Sequence, residues 1–515
     1  MNLKKLRQSS VAVMSVIIIS KIVGMMREII LASCFGTSNI SDAYLIASSV
    51  PTLLFYFIGH SLATAYIPMY NEVRAKKGND TAQRFSNNIL NISLVISTAI
   101  VLFLLLFPNA VVKIFAAGFD APTAEIAARL IRISAPSIYL MTIVQICGGY
   151  LHANGSFLVP AAISLPRNAA IVVSVVLAIT LGTDVLGWGL LASYILEFIF
   201  LLPFVWRKGY KYRPTIDFKD EDLKPTLNMI VPILIGMCVG QINKIVDKSM
   251  ASMSIVGGVS ALSYASIINT TVQEILVTSI ITIMFSKCSE LVAKEEHDKV
   301  KSRLSNTLNT ITFLLIPASV GVILLAKPIV SAVLLRGSFD AYSLKITSGA
   351  LTCYTIGLTF LAMRDTLVKV FYAYKDTKTT TVTSIIAIVI NIILNLVLSK
   401  IMGINGLALA TSISAIFSFI SLYVLLRRKI GDFGFGKLIV TVIKTLVSCG
   451  VMAVVILLLR HYVTGNLSAL VELIVCVLSG AAVYFVVSLI LRAEPMTIVL
   501  RGARSFLKKD GRSKA

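Results

Sequence analysis

Charged side chains recur inside long apolar stretches of this 515-residue sequence. A charge in hydrocarbon costs at least about 2.5–3.5 kcal/mol on insertion scales, so such residues indicate a functional interior. Guanidinium and ammonium groups bind phosphate well, and cations outnumber acids here, which predicts a cavity for an anionic substrate. The alternative is that these residues form ion pairs that lock helices together. The cations are Lys21, Arg27, Lys244, Lys248, Arg364 and Lys369, and the acids are Glu28, Asp42, Asp247 and Asp365.

The first cluster of charges lies on the first apolar stretch. Lys21 and Glu28 are seven residues apart and share one face of an ideal helix, whereas Arg27 points about 120° away from Lys21. Gly24 lies between the two cations, and a bend there would bring them together. Asp42 follows closely enough in the sequence to be their acidic partner. We expect Lys21, Arg27 and Asp42 to form part of a substrate site.

A second polar stripe is predicted on the seventh helix. Lys244, Asp247 and Lys248 are spaced i, i+3 and i+4, which places them on one face. The two lysines are candidate substrate-binding residues, because a polar stripe needs a wet cavity or charged partners. Asn391 and Asn395 form an amide pair at i, i+4 on the eleventh helix. The pair suits either hydrogen bonds between helices or, together with Asp247, oxygen ligation of a small hard cation.

The third cluster lies on the tenth predicted helix. Asp365 and Lys369 are spaced i, i+4, which predicts an ion pair between them. Arg364 should point away from this pair. We therefore expect Arg364 to be a further substrate-binding cation.

The elements that must hold these residues are membrane-spanning helices. Hydrophobic residues make up 57% of the chain, charged residues only 14%, and the mean hydropathy is +0.87. Apolar runs long enough to cross the roughly 30 Å hydrocarbon core recur from end to end. They predict an all-α integral membrane protein with about fourteen transmembrane helices. The predicted helices are 8–33, 41–70, 88–111, 124–150, 158–181, 184–206, 225–252, 259–287, 304–327, 341–373, 379–400, 404–427, 437–460 and 467–492.

Basic residues indicate the orientation of the chain. The N-terminus, alternate loops and the C-terminal tail hold 31 of the 47 Lys and Arg residues, and the opposite loops hold six. The positive-inside rule then places both termini in the cytoplasm. The net charge of +22 is spread over short loops and comes with no nucleic-acid motif. We therefore expect membrane lipids, and no nucleic acid, as partners.

An internal repeat divides the chain. The segment NEVRAKKGNDTAQRFSN, from Asn71, resembles SELVAKEEHDKVKSRLSN, from Ser289, about 218 residues later. Chance similarity among apolar helices is the alternative, but these matches lie in polar segments. Each copy spans about six helices, so the sequence predicts two parallel six-helix repeats, as in many transporters, plus two C-terminal helices. The predicted regions are an N-terminal lobe 1–206, a cytoplasmic linker 207–224, a C-terminal lobe 225–428, an accessory helix pair 437–492 and a basic cytoplasmic tail 493–515.

No catalytic site is evident in the sequence. The four histidines are isolated from one another, and no Gly-rich phosphate loop is followed by Lys and Ser or Thr. We therefore expect a transporter and not an enzyme, with no cofactor other than a coupling ion such as sodium.

Five stretches of the sequence carry a family resemblance. They are SKIVGMMREIILASCFGTSNISDAYLIASSVP, GFDAPTAEIAARLIRISAP, IVDKSMASMSIVGGVSALSYA, SFDAYSLKITSGALTCYTIGL and VFYAYKDTKT. They resemble the MurJ/MviN family of lipid II flippases, and the resemblance covers nearly the whole chain. It implies movement of an undecaprenyl-pyrophosphate-linked peptidoglycan precursor across the bacterial cytoplasmic membrane by alternating access, for cell-wall biosynthesis. It also implies two six-helix lobes around a cationic cavity, a lipid-side groove formed by the last two helices, and cell-wall synthesis proteins as partners.

The resemblance implies roles for three residues of the first cluster. The family's cavity arginine falls on Arg27, and the arginine that precedes it falls on Lys21. The family's acidic residue before the second helix falls on Asp42. Arg27 and Lys21 would hold the pyrophosphate, and Asp42 would orient them.

This chain departs from the family at several implied site positions. A sodium site of the family matches Asp247, Asn391 and Asn395, but the last position is an aspartate in the family. Phe55 and Ile267 stand where the family usually has arginines. Lipid II is therefore the first substrate hypothesis, and another lipid-linked oligosaccharide, of the exopolysaccharide, O-antigen or teichoic-acid type, stays open. A cation-coupled drug exporter would need more acids than cations, and a non-transporting scaffold would need long cytoplasmic domains.

Overall fold

The computed structural model of the protein describes residues 3–462 and 468–496, and every regular element in them is an α-helix. Side chains are described for these residues except 3–11, 57, 58, 60, 61, 63, 64, 224 and 227–239. The chain folds into two compact units, residues 1–260 with 336–340 and residues 261–335 with 341–515. Most of the predicted basic tail, from residue 497 onward, lies outside the described residues.

The first unit is built around helices that pack on one long helix, α2. Its helices are α1 (Leu3–Phe35), α2 (Asn39–Lys77), α3 (Asn79–Leu106), α4 (Pro108–Phe115), α5 (Ala121–Ser134), α6 (Ser137–Ala153), α7 (Leu158–Ala162), α8 (Ser164–Leu181), α9 (Asp184–Arg207) and α10 (Leu223–Ser254). In its core, Tyr66 of α2 stacks on Phe85, and Tyr70 of α2 meets Tyr150 edge to face. The sequence predicts α10 to belong to the C-terminal lobe, whereas it packs along α2 in this compact unit. The predicted lobe boundaries stay a prediction.

The second unit contains the remaining helices. They are α11 (Gly258–Ala293), whose first turn belongs to the first unit, α12 (His297–Leu324), α13 (Ala326–Leu334), α14 (Ala341–Ile356), α15 (Leu358–Ala373), α16 (Thr377–Met402), α17 (Ile404–Ile430), α18 (Phe435–Tyr462) and α19 (Ala469–Ile490). One core joins α11, α12, α15 and α17. A second core joins α12 to α18 and α19, where Tyr484 donates a hydrogen bond to the Phe313 carbonyl at 2.7 Å.

The order of helices repeats along the chain, as the sequence predicts. α3 begins at Asn79 and α12 begins at His297, 218 residues later, and both contain 28 residues. Each is followed by a short helix and then by two helices that meet at a bend, of 47° between α5 and α6 and of 45° between α14 and α15. The predicted single helices 124–150 and 341–373 are therefore each broken. Pro136, which has no N–H to donate, and Gly357 lie at the breaks.

The distribution of side chains is that of a membrane protein. Among the described residues, nine helices are long and apolar enough to cross a membrane, or up to eleven spans if each bent pair is one. α16 exposes Ile386, Val389 and Ile393 while it buries Asn391 and Asn395. Lipid favours apolar side chains outside and polar groups inside, so the predicted all-α membrane class is confirmed. The number of fourteen spans stays a prediction.

An amide ladder holds an irregular segment, residues 209–217, against α3. The ladder consists of Gln83, Asn87, Asn88 and Asn91, which lie on neighbouring turns of α3. Three of their amide groups donate to the Gly209, Lys211 and Thr215 carbonyls at 2.8–2.9 Å. Asn88 exchanges two hydrogen bonds with the backbone of Asp217, at 2.7 and 2.8 Å. Much of the predicted linker 207–224 is thus fastened to the first unit.

Candidate functional site

Arg27 lies in a polar cluster of the first unit. Its Nη1 donates to Asn168 Oδ1 of α8 at 3.1 Å, and its Nη2 pairs with the neighbouring Glu28 carboxylate. Asn168 and Glu28 are buried, whereas 28% of the Arg27 side chain is exposed. A guanidinium has five N–H donors, so these two contacts fix its direction and leave donors for an anion.

The Asp42 carboxylate has other partners than the sequence suggested. Its carboxylate, only 2% exposed, accepts from the Gly257 amide at 3.0 Å and from the Ser260 amide at 2.7 Å. The first amides of a helix have no partners within the helix and carry partial positive charge, so a carboxylate is stabilised there. Asp42 therefore caps the start of α11, and the expectation that it is the acidic partner of Lys21 and Arg27 is wrong.

The polar stripe on α10 separates into residues with different surroundings. Lys248 Nζ donates to the Leu45 carbonyl of α2 at 3.3 Å and interacts electrostatically with Glu28. Asp247 accepts from the Asn243 amide group at 3.1 Å. Lys244 is exposed. Lys248 therefore joins the Arg27 cluster, and the substrate-binding role of Lys244 stays a prediction.

Lys21 is exposed on α1 and lies nearly two turns before Arg27. The two cations remain candidates for one ligand, because long flexible side chains on one helix can converge on an anion.

The first unit contains a second intramembrane ion pair that the sequence prediction missed. Arg167 Nη1 of α8 lies 3.3 Å from Glu197 Oε1 of α9, and the guanidinium lies 5.8 Å from the centre of the Tyr194 ring. Glu197 is 3% exposed. A signal was present in the sequence, because both charges fall inside predicted membrane helices, where a lone charge is costly.

The charged cluster of the second unit is paired differently from the prediction. Arg364 Nε and Nη2 both contact Asp365 Oδ1, at 3.1 and 2.6 Å, and Gln273 of α11 donates to Asp365 Oδ2 at 3.1 Å. Lys369 Nζ lies 5.3 Å from the centre of the Phe285 ring, a cation–π distance. The predicted ion pair of Asp365 with Lys369 is therefore wrong, and so is the expectation that Arg364 points away. The guanidinium is long enough to fold back on the adjacent carboxylate, which spacing along an ideal helix does not show.

Two of the three predicted sodium ligands lie in the second unit. Asn395 Nδ2 donates to Asn391 Oδ1 at 3.0 Å, and both residues are buried in the second unit. Asp247 belongs to the first unit. Within the part of the chain that the structure describes, no three His, Cys, Asp or Glu side chains are grouped to hold a metal ion. Sodium binding stays a prediction.

An apolar groove of about 370 Å³ lies in the second unit between α12, α13, α18 and α19. Its lining includes Phe313, Met452, Ile456 and Tyr484 and no charged side chain. A Cβ at Gly480 would lie 2.9 Å from Ile456 Cδ1, so this glycine lets α19 pack closely on α18 beside the groove. The groove has the chemistry to hold an aliphatic chain.

A multi-pass helical bundle with apolar residues outside and paired charges inside is an integral membrane protein of the transporter class. The family model described as "Lipid II flippase MurJ" matches residues 31–478. The chain belongs to this family.

Individual relatives agree with this assignment. The probable lipid II flippase MurJ of Thermotoga maritima is 30% identical over 487 residues, which cover 94% of this chain and 96% of that protein. The lipid II flippase MurJ of Thermosipho africanus is 30% identical over 411 residues, 80% of this chain and 83% of that protein. A solved lipid II flippase MurJ in an inward closed conformation is 26% identical, with a TM-score of 0.80 over 93% of this chain and 98% of that one.

The fold is also shared more widely. An inward-facing multidrug resistance MATE family transporter of the MOP superfamily has a TM-score of 0.70 at 13% identity, over 82% of this chain and 98% of that one. At this identity the likeness shows the fold alone.

Proposed function

We propose that the protein moves lipid II, the undecaprenyl-pyrophosphate-linked peptidoglycan precursor, across the bacterial cytoplasmic membrane by alternating access. Arg27 carries the proposal. Its guanidinium is fixed by Asn168 and Glu28 inside a membrane helix bundle, and it retains N–H donors for the pyrophosphate. The family and the Thermotoga maritima relative are described as lipid II flippases, which favours the same substrate.

Charge and hydrophobicity suggest the remaining substrate contacts. Lys21 and Lys248 would add positive charge near Arg27, and Arg364 and Lys244 are further candidates. The groove at α18 and α19 would hold the prenyl chain, and enzymes that make or polymerise the precursor are the expected partners. The excess of basic residues in alternate loops favours cytoplasmic termini.

Another lipid-linked oligosaccharide is the second candidate substrate. Its support is the pair of apolar residues, Phe55 and Ile267, at positions where the resemblance implies arginines. The Phe55 ring fills the space beside Gly59 on α2. The chain therefore brings a hydrophobic contact to a position that in the family would bring a cation.

Complementation in a strain depleted of its essential lipid II flippase tests the proposal. The wild-type protein should restore growth, and Arg27→Gln should fail at equal membrane abundance, because the amide carries no charge for the pyrophosphate. Arg129→Gln is a matched control, since Arg129 pairs with Asp184 at 3.1 Å and both side chains are about half exposed. Failure of the wild-type protein to restore growth at normal abundance would contradict lipid II as substrate and favour the second candidate.

Sodium coupling is a separate proposal, based on donor chemistry. Asp247, Asn391 and Asn395 offer a carboxylate and amide oxygens, which are ligands that hard cations prefer. Transport should then depend on a sodium gradient, and Asn391→Ala should weaken that dependence. Equal transport in potassium and sodium would contradict it.

A further inference from the structure

We propose that Arg167 is a second guanidinium for the substrate's pyrophosphate and that Glu197 is its positioning residue. This inference rests on the proposed function, because it names a further contact with the same substrate. Neither residue figured among the site residues predicted from the sequence.

Arg167 lies beside the Arg27 cluster. Arg167 directly precedes Asn168 on α8, and Asn168 accepts the hydrogen bond from Arg27 at 3.1 Å. Tyr194 of α9 lies next to Arg167, with its ring centre 5.8 Å from the guanidinium carbon. The residue that fixes Arg27 of α1 therefore directly follows Arg167 on α8.

Arg167 keeps N–H donors that its ion pair with Glu197 does not use. Its Nη1 lies 3.3 Å from Glu197 Oε1, which is longer than the roughly 2.7–2.9 Å of a close charge-assisted hydrogen bond. One third of the Arg167 side chain is exposed, whereas 3% of Glu197 is exposed. The buried carboxylate thus holds one edge of the guanidinium and leaves its other donors available to an oxyanion.

The balance of charge also supports the inference. Arg27 with Glu28 and Arg167 with Glu197 each pair one guanidinium with one carboxylate, so each pair is neutral. A pyrophosphate diester carries one negative charge on each phosphate, so each phosphate would meet one guanidinium. A lipid with a single phosphate would use only one of the two pairs.

A purely structural role for the ion pair is the competing explanation. Under it, Arg167 and Glu197 would serve to hold α8 against α9. The two helices already approach closely elsewhere, because a Cβ at Gly189 of α9 would lie 3.6 Å from Ser174 Cα of α8 and closer still to its side chain. Glycine at this crossing lets the backbones pack directly, so helix contact does not depend on the ion pair.

The test compares binding of lipid II and of undecaprenyl phosphate to the full-length protein in lipid nanodiscs. The double variant Arg167→Gln/Glu197→Gln removes both charges together and leaves no unpaired buried carboxylate. We expect it to bind lipid II at least tenfold more weakly, to bind undecaprenyl phosphate within twofold of wild type, and to unfold at the wild-type temperature. The matched control, Arg129→Gln/Asp184→Asn, neutralises the half-exposed pair between α5 and α9 and should change neither affinity.

The possible results separate this inference from the proposed function. If the double variant binds lipid II like wild type while Arg27→Gln does not, the role of Arg167 is overturned and the proposed function stands. If the wild-type protein binds neither lipid, both are overturned. Should the double variant fail to fold, Arg167→Lys decides, since lysine keeps the charge but loses the planar fork. Weaker lipid II binding by a folded Arg167→Lys protein supports the inference, and unchanged binding overturns it.

Discussion

Replacement of Asp42 by alanine should destabilise the protein more than the loss of any exposed helix cap. The buried carboxylate accepts hydrogen bonds from the Gly257 and Ser260 amides, at 3.0 and 2.7 Å. A hydrogen bond to a charged group contributes about 1.5–3 kcal/mol, and the two donors would be left buried without an acceptor. We therefore expect Asp42→Ala to lower the free energy of unfolding by about 3 kcal/mol or more.

A second aspartate in the chain provides a matched control. Asp120 caps α5 by accepting one hydrogen bond, from the Thr123 amide at 3.2 Å, and it is exposed. Loss of an exposed cap costs about 1 kcal/mol. Thermal unfolding of both alanine variants in the same detergent should give a shift for Asp42→Ala about three times that for Asp120→Ala. Asp42→Asn should fall between wild type and Asp42→Ala, because an amide keeps one acceptor oxygen.

Equal shifts for the two alanine variants would refute this account of Asp42. They would mean that water or another side chain satisfies the Gly257 and Ser260 amides. A variant that is fully stable but inactive would instead assign Asp42 to the substrate.

Three further perturbations follow from other parts of the structure. Asn88→Ala removes three hydrogen bonds of the amide ladder, so amide hydrogen exchange in residues 209–220 should accelerate at least tenfold. Unchanged exchange would show that the ladder does not hold the segment. Lys429 Nζ lies 2.5 Å from Asp376 Oδ2 and lowers the pKa of this carboxyl. The ion pair therefore stabilises the protein above the unfolded pKa of about 3.9, and this contribution is lost as the pH falls through the folded pKa. Asp376→Asn should therefore lose less thermal stability than wild type below about pH 4, and parallel pH profiles would argue against the pair. Gly480→Leu should fill the apolar groove and reduce binding of long-prenyl substrates more than binding of short-prenyl ones. Gly450→Leu, on an open face of α18, is the control and should not show this dependence on prenyl length. The same dependence in both variants would exclude the groove as the prenyl site.

The membrane fold was largely predictable because its main determinants are local in sequence. Apolar runs marked the helices, and a repeated polar segment, 71–87 with 289–306, marked the repeat. The short helices α4 and α13 were not predicted, because each directly continues an apolar run. The bends were not predicted either, since apolar composition does not change at Pro136 or Gly357.

The candidate site was predictable only where one helix determines it. Arg27 was identified from its charge inside an apolar helix and from the family resemblance of the surrounding stretch. Its partner Asn168 is 141 residues away, and no spacing rule connects the two. Asp42 was misassigned for the same reason, since the amides that it caps lie more than 200 residues further along the chain.

Reconstituted transport of fluorescent lipid II tests the central claim most directly. If Arg27 holds the pyrophosphate, proteoliposomes with wild-type protein should move labelled lipid II between leaflets. Arg27→Gln should reduce the rate at least a hundredfold, and Arg27→Lys should retain part of it, because lysine keeps the charge without the fork. Wild-type transport rates in Arg27→Gln, with the protein folded and fully incorporated, would contradict the account.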